Sequence, residues 1–77
     1  MENRYFKSGY SKLTEANKER LEDFSSTIGS GYQLKDKEII EKFGNQMRGY
    51  LMCLVDAGII TRLELANLYL YYFRLNQ

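Results

Sequence analysis

The sequence predicts an all-α fold, a small three-helix domain over residues 13–77 with an antiparallel helical hairpin at its C-terminal end. The chain contains no proline, and apolar residues recur at spacings of three and four in three separate stretches. No stretch alternates apolar and polar residues for long enough to indicate a β-strand. With 77 residues, of which 44% are apolar, the chain has room for one domain of marginal stability.

The N-terminal segment, residues 1–12 (MENRYFKSGYSK), lacks helical periodicity and contains Gly9. We therefore expect it to form a basic and aromatic arm that precedes the domain.

The first helix has two suitable N-caps, Ser11 and Thr14, and its pattern extends to about residue 27. Beyond that point Gly29 and Gly31 supply backbone freedom, so we expect the helix to end there in a turn. Its narrow apolar face consists of four residues: Leu13, Leu21, Phe24 and Ile28.

The second helix begins after Asp36, a good N-cap, and Glu38 places negative charge in its first turn. Gly58 follows the last turn and predicts its end. Apolar residues three and four apart form a single core-facing seam between these limits: Ile40, Phe43, Met47, Tyr50, Leu54 and Ala57.

The third helix begins at Thr61, because Thr61 and Glu64 have the spacing of a capping box. The link from Gly58 to Thr61 is short, and a short link between two helices favours an antiparallel hairpin.

This third helix is apolar on nearly all sides, which raises the question of what covers it. We expect one face to pack on the second helix: Leu63, Ala66, Tyr69, Leu70 and Phe73. The remaining apolar residues have no evident cover within the chain, and exposed contiguous apolar surface is typical of binding sites. The predicted partner is a second copy of the chain or another protein. The predicted protein interface consists of Leu65, Leu68, Tyr71, Tyr72 and Leu75.

The sequence contains no arrangement of residues suited to catalysis. There is no histidine, and the acidic residues have the spacings of solvated helix faces, so we expect a non-enzymatic protein without metal or cofactor. Cys53 is the single cysteine, and without an activating base we interpret it as a small packing residue.

A nucleic-acid-binding function is the alternative. The net charge of +1 argues against a general polyanion binder, but the N-terminal arm combines basic and aromatic residues without an acid over residues 4–12. This mixture suits phosphate contact and base stacking. The candidate contacts are Arg4, Tyr5, Lys7, Tyr10 and Lys12.

Localisation is predicted from what the sequence lacks. The first ten residues have no apolar run of the signal-peptide kind, and the longest apolar stretches are shorter than the roughly 20 residues of a spanning helix. We expect a cytoplasmic protein that does not enter the membrane.

Residues 49–72, GYLMCLVDAGIITRLELANLYLYY, resemble the helix, Gly-Ile-Ile-Thr turn and helix of short SHOCT-type domains. They are also similar to small helical proteins carried by phages and conjugative elements of Gram-positive bacteria. Arg62 and Leu63 depart from the SHOCT pattern, which has acidic residues there, so no functional residue is carried over. The second resemblance implies a mobile-element regulator or inhibitor of a host protein, such as an anti-CRISPR-like antidefence factor.

Overall fold

The computed structural model describes residues 3–77, and all of its regular elements in that range are helices. They are α1 (Arg4–Ser11), α2 (Glu15–Gln33), α3 (Lys37–Asp56) and α4 (Arg62–Arg74). The all-α prediction is confirmed. The helix count is four instead of the predicted three, because part of the segment predicted as an arm is helical.

Helix α1 corrects the prediction for residues 1–12, of which residues 1 and 2 lie outside the described part. Asn3 caps the helix, and its Oδ1 accepts the amide of Tyr5 at 2.9 Å and that of Phe6 at 3.3 Å. Gly9 lies within the helix and is buried against α4. The weak local pattern concealed this helix, since its stability depends on packing against a distant part of the chain.

The start of α2 confirms Thr14 as one of the two candidate N-caps, and Ser11 belongs to α1. Thr14 and Asn17 form a reciprocal capping box. The side-chain amide of Asn17 also donates to the Tyr50 hydroxyl at 2.7 Å. These bonds explain why a polar residue lies within the apolar face of this helix.

The predicted end of α2 near residue 27 is wrong, because the helix continues through Gly29 and Gly31 to Gln33. Both glycines are buried at close contacts. A β-carbon at Gly29 would lie 2.6 Å from the carbonyl oxygen of Asn76, and one at Gly31 would lie 2.9 Å from Cγ1 of Ile40. The glycines therefore allow neighbouring segments to approach the helix instead of ending it.

The predicted boundaries of α3 and the start of α4 are confirmed. Asp36 caps α3 and Thr61 caps α4, with Glu64 completing the capping box. Gly58 has φ +76° after α3, and the amide of Ile59 donates to the carbonyl of Leu54 at 2.9 Å. This Schellman motif satisfies the helix end with a left-handed glycine.

The core lies where α2 and α3 pack together and α4 packs against both, while α1 packs against α4. Tyr69 and Phe73 of α4 contact α3 at Gly44, and Asn76 donates to the buried Ser25 of α2 at 2.9 Å. Ten buried apolar residues make up this core: Leu13, Leu21, Ile28, Met47, Leu51, Leu54, Ile60, Leu65, Leu68 and Tyr72.

Candidate protein-binding surface

The buried and exposed sides of α4 differ in part from the sequence prediction. Leu65, Leu68 and Tyr72, three residues of the predicted interface, are buried in the core. Leu63 and Leu70, predicted to be core, are 56% and 48% exposed. Ala66 is also exposed, and of the predicted core face Tyr69 and Phe73 are half-buried.

The exposed apolar side of α4 still exists, with a different membership. It consists of four residues that we call the α4 outer face: Leu63, Leu70, Tyr71 and Leu75. Leu63 and Leu70 are two helical turns apart and therefore project in nearly the same direction. Tyr71 and Leu75, which belong to the predicted interface, are 41% and 43% exposed along its flank.

Helix α1 covers the part of α4 that contains Glu64 and Leu68. A β-carbon at Gly9 would lie 3.0 Å from both Cβ of Glu64 and Cδ1 of Leu68, so the two helices are in close contact at this point. The ring of Phe6 lies 4.5 Å from the ring of Tyr71, centroid to centroid. Because α4 is apolar on both sides, its own sequence carries little information about which side is buried.

Two shallow grooves border the α4 outer face, one on each side of Leu70. The groove towards the C-terminal end has a volume of about 340 Å³ and is lined by Leu70, Tyr71, Arg74 and Leu75. The groove towards α3 has a volume of about 390 Å³ and is lined by Asn45, Arg48, Leu65, Ala66, Tyr69 and Leu70. Concave apolar surface of this kind can accept side chains of a partner.

Glu64 is the buried charge at the contact between α1 and α4. It is 3% exposed, and its two carboxylate oxygens accept from Nζ of Lys12 at 2.9 and 2.8 Å. The Ser8 hydroxyl and the Thr61 amide also donate to it. Burial by itself raises the pKa of the Glu64 carboxyl, but these donors and the Lys12 charge outweigh it and lower the pKa to about 2.

Three of the predicted nucleic-acid contacts, Arg4, Tyr10 and Lys12, make contacts within the protein. Lys12 forms the ion pair with Glu64, and the Tyr10 ring has Lys18 Nζ 4.4 Å from its centroid. Arg4 lies over the ring of its neighbour Tyr5, at 5.1 Å from the centroid. Arg4 and Lys7 are both exposed.

Cys53 is exposed, which corrects its interpretation as a packing residue. Within residues 3–77, no group of three Cys, Asp or Glu side chains is placed to hold a metal ion. None of the helices in the described range has the length and apolar character required to cross a membrane.

Comparison with known proteins shows no relative from which a role could be transferred. No protein-family model matches the chain, and no curated protein or solved structure matches it either. The resemblance of residues 49–72 to mobile-element proteins therefore stays a prediction.

Proposed function

We propose that this protein is a small, non-enzymatic protein-binding module and that the α4 outer face is its binding surface. One observation carries the proposal: α4 and its C-cap expose four large apolar side chains, each between 41% and 56% exposed, and three of them, Leu70, Tyr71 and Leu75, line one groove. Burying such a side chain fully contributes roughly 1.5–3 kcal/mol, so a partner that covers this face gains free energy that the isolated chain does not. Contiguous apolar surface distinguishes binding sites from scattered exposed leucines.

The biological role that we attach to this surface is regulation or inhibition of a larger host protein. It follows from the similarity of residues 49–72 to small proteins of Gram-positive phages and conjugative elements, and an anti-CRISPR-like antidefence factor is the specific form. In this proposal α3 and α4 form the antiparallel hairpin that their short link predicts. The hairpin presents the α4 outer face to the partner, and the protein acts in the cytoplasm.

The test compares Leu70→Ala with Leu34→Ala, a matched control at a leucine that is 72% exposed outside α4. Partners are captured with the full chain from a lysate of the cells that carry its gene, and binding of the purified partner is then measured. Removing an interface anchor typically costs 2 kcal/mol or more, so we expect Leu70→Ala to weaken binding about thirtyfold. Equal binding by both folded variants and the parent would contradict the proposal.

Nucleic-acid binding through α1 is the alternative, favoured by the exposure of Arg4 and Lys7. Removing residues 1–12 is a poor test, because α1 covers buried Leu68. Arg4→Glu and Lys7→Glu change only exposed side chains and retain every residue of α1, so they are the better test. If the alternative holds, these variants weaken oligonucleotide binding, and affinity of the parent falls steeply with salt. Salt-independent binding would exclude it.

A further inference from the structure

The exposed charged residues of α4 and those that line the two grooves beside Leu70 are all arginines. Arg62 and Arg74 are exposed at the two ends of α4, and Arg48 of α3 is exposed beside the groove next to Leu70. The one acidic residue of α4 is Glu64, which is buried and paired with Lys12. The face therefore presents apolar and cationic groups without an exposed carboxylate from its own helix.

The two grooves beside Leu70 show this pattern most directly. Each groove is lined by one arginine, Arg74 in one and Arg48 in the other, and neither has an acidic residue in its lining. In the part of the chain that the structure describes, neither arginine forms an ion pair or a side-chain hydrogen bond. Their guanidinium groups remain available to a partner on both sides of an exposed leucine.

The arginines around the α4 outer face favour some classes of binding partner over others. A second copy docked symmetrically through the same face would bring cationic groups towards each other, which opposes association. A nucleic acid would meet the arginines, but its phosphates gain nothing from the leucines between them. An acidic protein surface with apolar side chains satisfies both properties, because arginine binds carboxylates bidentately and the grooves bury the apolar groups.

We infer that the partner of the α4 outer face is a protein segment with apolar anchor side chains flanked by Asp or Glu. The anchors enter the grooves on the two sides of Leu70, and the carboxylates bind the guanidinium groups of Arg48 and Arg74. This inference rests on the proposed function and specifies the chemistry of the partner.

The experiment selects peptides from a displayed library of random helical peptides, using the full-length parent protein as the target. Peptides that also bind Leu70→Ala are removed by counter-selection. We expect the enriched peptides to combine a repeated apolar pattern with an excess of Asp and Glu over Lys and Arg. Arg48→Glu and Arg74→Glu should each weaken binding of the enriched peptides about tenfold, whereas Arg20→Glu, at another exposed helical arginine, should not.

The possible outcomes separate this inference from the proposed function. Enriched peptides that are apolar but neutral or basic would overturn the acidic partner and leave the α4 outer face as a docking surface. Failure to enrich any peptide over Leu70→Ala would overturn both. A single-stranded oligonucleotide that binds more tightly than the enriched peptides, and depends on Arg48 and Arg74, would also overturn the inference.

Discussion

At the scale of single residues, Lys35 has an unfavourable backbone conformation. Its φ is 55°, in the left-handed region, and it directly follows the C-cap of α2. The amide of Lys35 donates to the carbonyl of Tyr32 at 3.2 Å, and the amide of Asp36 donates to the carbonyl of Gly31 at 2.9 Å. These are the hydrogen bonds of a Schellman motif, in which glycine is the usual left-handed residue.

We expect Lys35→Gly to raise the free energy of unfolding by about 1 kcal/mol, because glycine has no β-carbon to clash in this conformation. Urea denaturation measures the change. Lys37→Gly, in the first turn of α3, is the control, and it should give no gain because that position is already helical. A Lys35→Gly variant no more stable than the parent would show that the neighbouring contacts compensate for the strain.

Glu64 is the residue from which we expect a pH dependence of stability. Its pKa in the folded protein is about 2, below the ordinary value of 4.5. The unfolded chain therefore takes up this proton at a higher pH than the folded protein does. Stability from Glu64 is complete above about pH 4.5 and is lost as the pH falls towards 2.

The expected loss is on the order of 2 kcal/mol, less than the full pKa shift implies, because Lys12 is 42% exposed and water screens the pair. Denaturation at a series of acidic pH values measures it. Glu64→Gln should make the decline shallower, whereas Glu19→Gln, at an exposed position of α2, should leave it unchanged. The same slope for Glu64→Gln and the parent would contradict the assignment.

At the scale of elements, α4 is the helix against which α1 packs. The short helix contributes one buried residue, Gly9, and joins α4 through Phe6 and through the ion pair of Lys12 with Glu64. The side chain of Asn3 also donates to Asn67 of α4. An isolated helix of eight residues is too short to be stable in water, so docking on α4 stabilises it.

Gly9→Val should separate α1 from α4, because the new β-carbon would lie 3.0 Å from Cβ of Glu64, which cannot move away easily. We expect a loss of about 1–3 kcal/mol in unfolding free energy and faster amide exchange in α1 than in α3. Gly49→Val makes the same change within α3, where the new β-carbon would have no atom of another segment within 4 Å. This substitution should not destabilise the protein. Equal effects of the two substitutions would rule out tight helix contact at Gly9.

At the scale of the whole molecule, α4 has the central position, since α1, α2 and α3 all pack against it. Its buried side closes the core through Leu68 and Tyr72, and its other side forms the α4 outer face. One helix thus supports both the fold and the proposed binding surface. The two roles can be separated because they use different faces.

Leu68→Ala and Leu70→Ala test this division. Leu68 is fully buried, so its truncation should lower the free energy of unfolding by about 2–5 kcal/mol. Leu70 is 48% exposed, so its truncation should cost less than about 1 kcal/mol while weakening partner binding. Thermal or urea denaturation measures both. A greater loss of stability for Leu70→Ala would reverse the assignment of the two faces.

The sequence by itself determined the helical class, both ends of α3 and the start of α4. Asp36 and Thr61 were identified as N-caps, Thr14 as one of two candidates, and Gly58 as the end of α3. Each of these signals acts through hydrogen bonds to residues within about four positions, so the local sequence contains it. The presence of exposed apolar surface on the last helix also followed from sequence, since that helix has more apolar residues than one packed face can bury.

Three features followed only from the tertiary structure: the formation of α1, the continuation of α2 through Gly29, and the side of α4 that is buried. Each depends on residues far away in the chain: α4 supports α1, Asn76 approaches Gly29, and Gly9 lies against Leu68. A glycine has the same local freedom in a turn and at a close helix contact, and a helix that is apolar on both sides has no preferred inner face of its own. Packing between distant segments therefore determined these three features. The buried side of α4 in turn determined which residues form the α4 outer face.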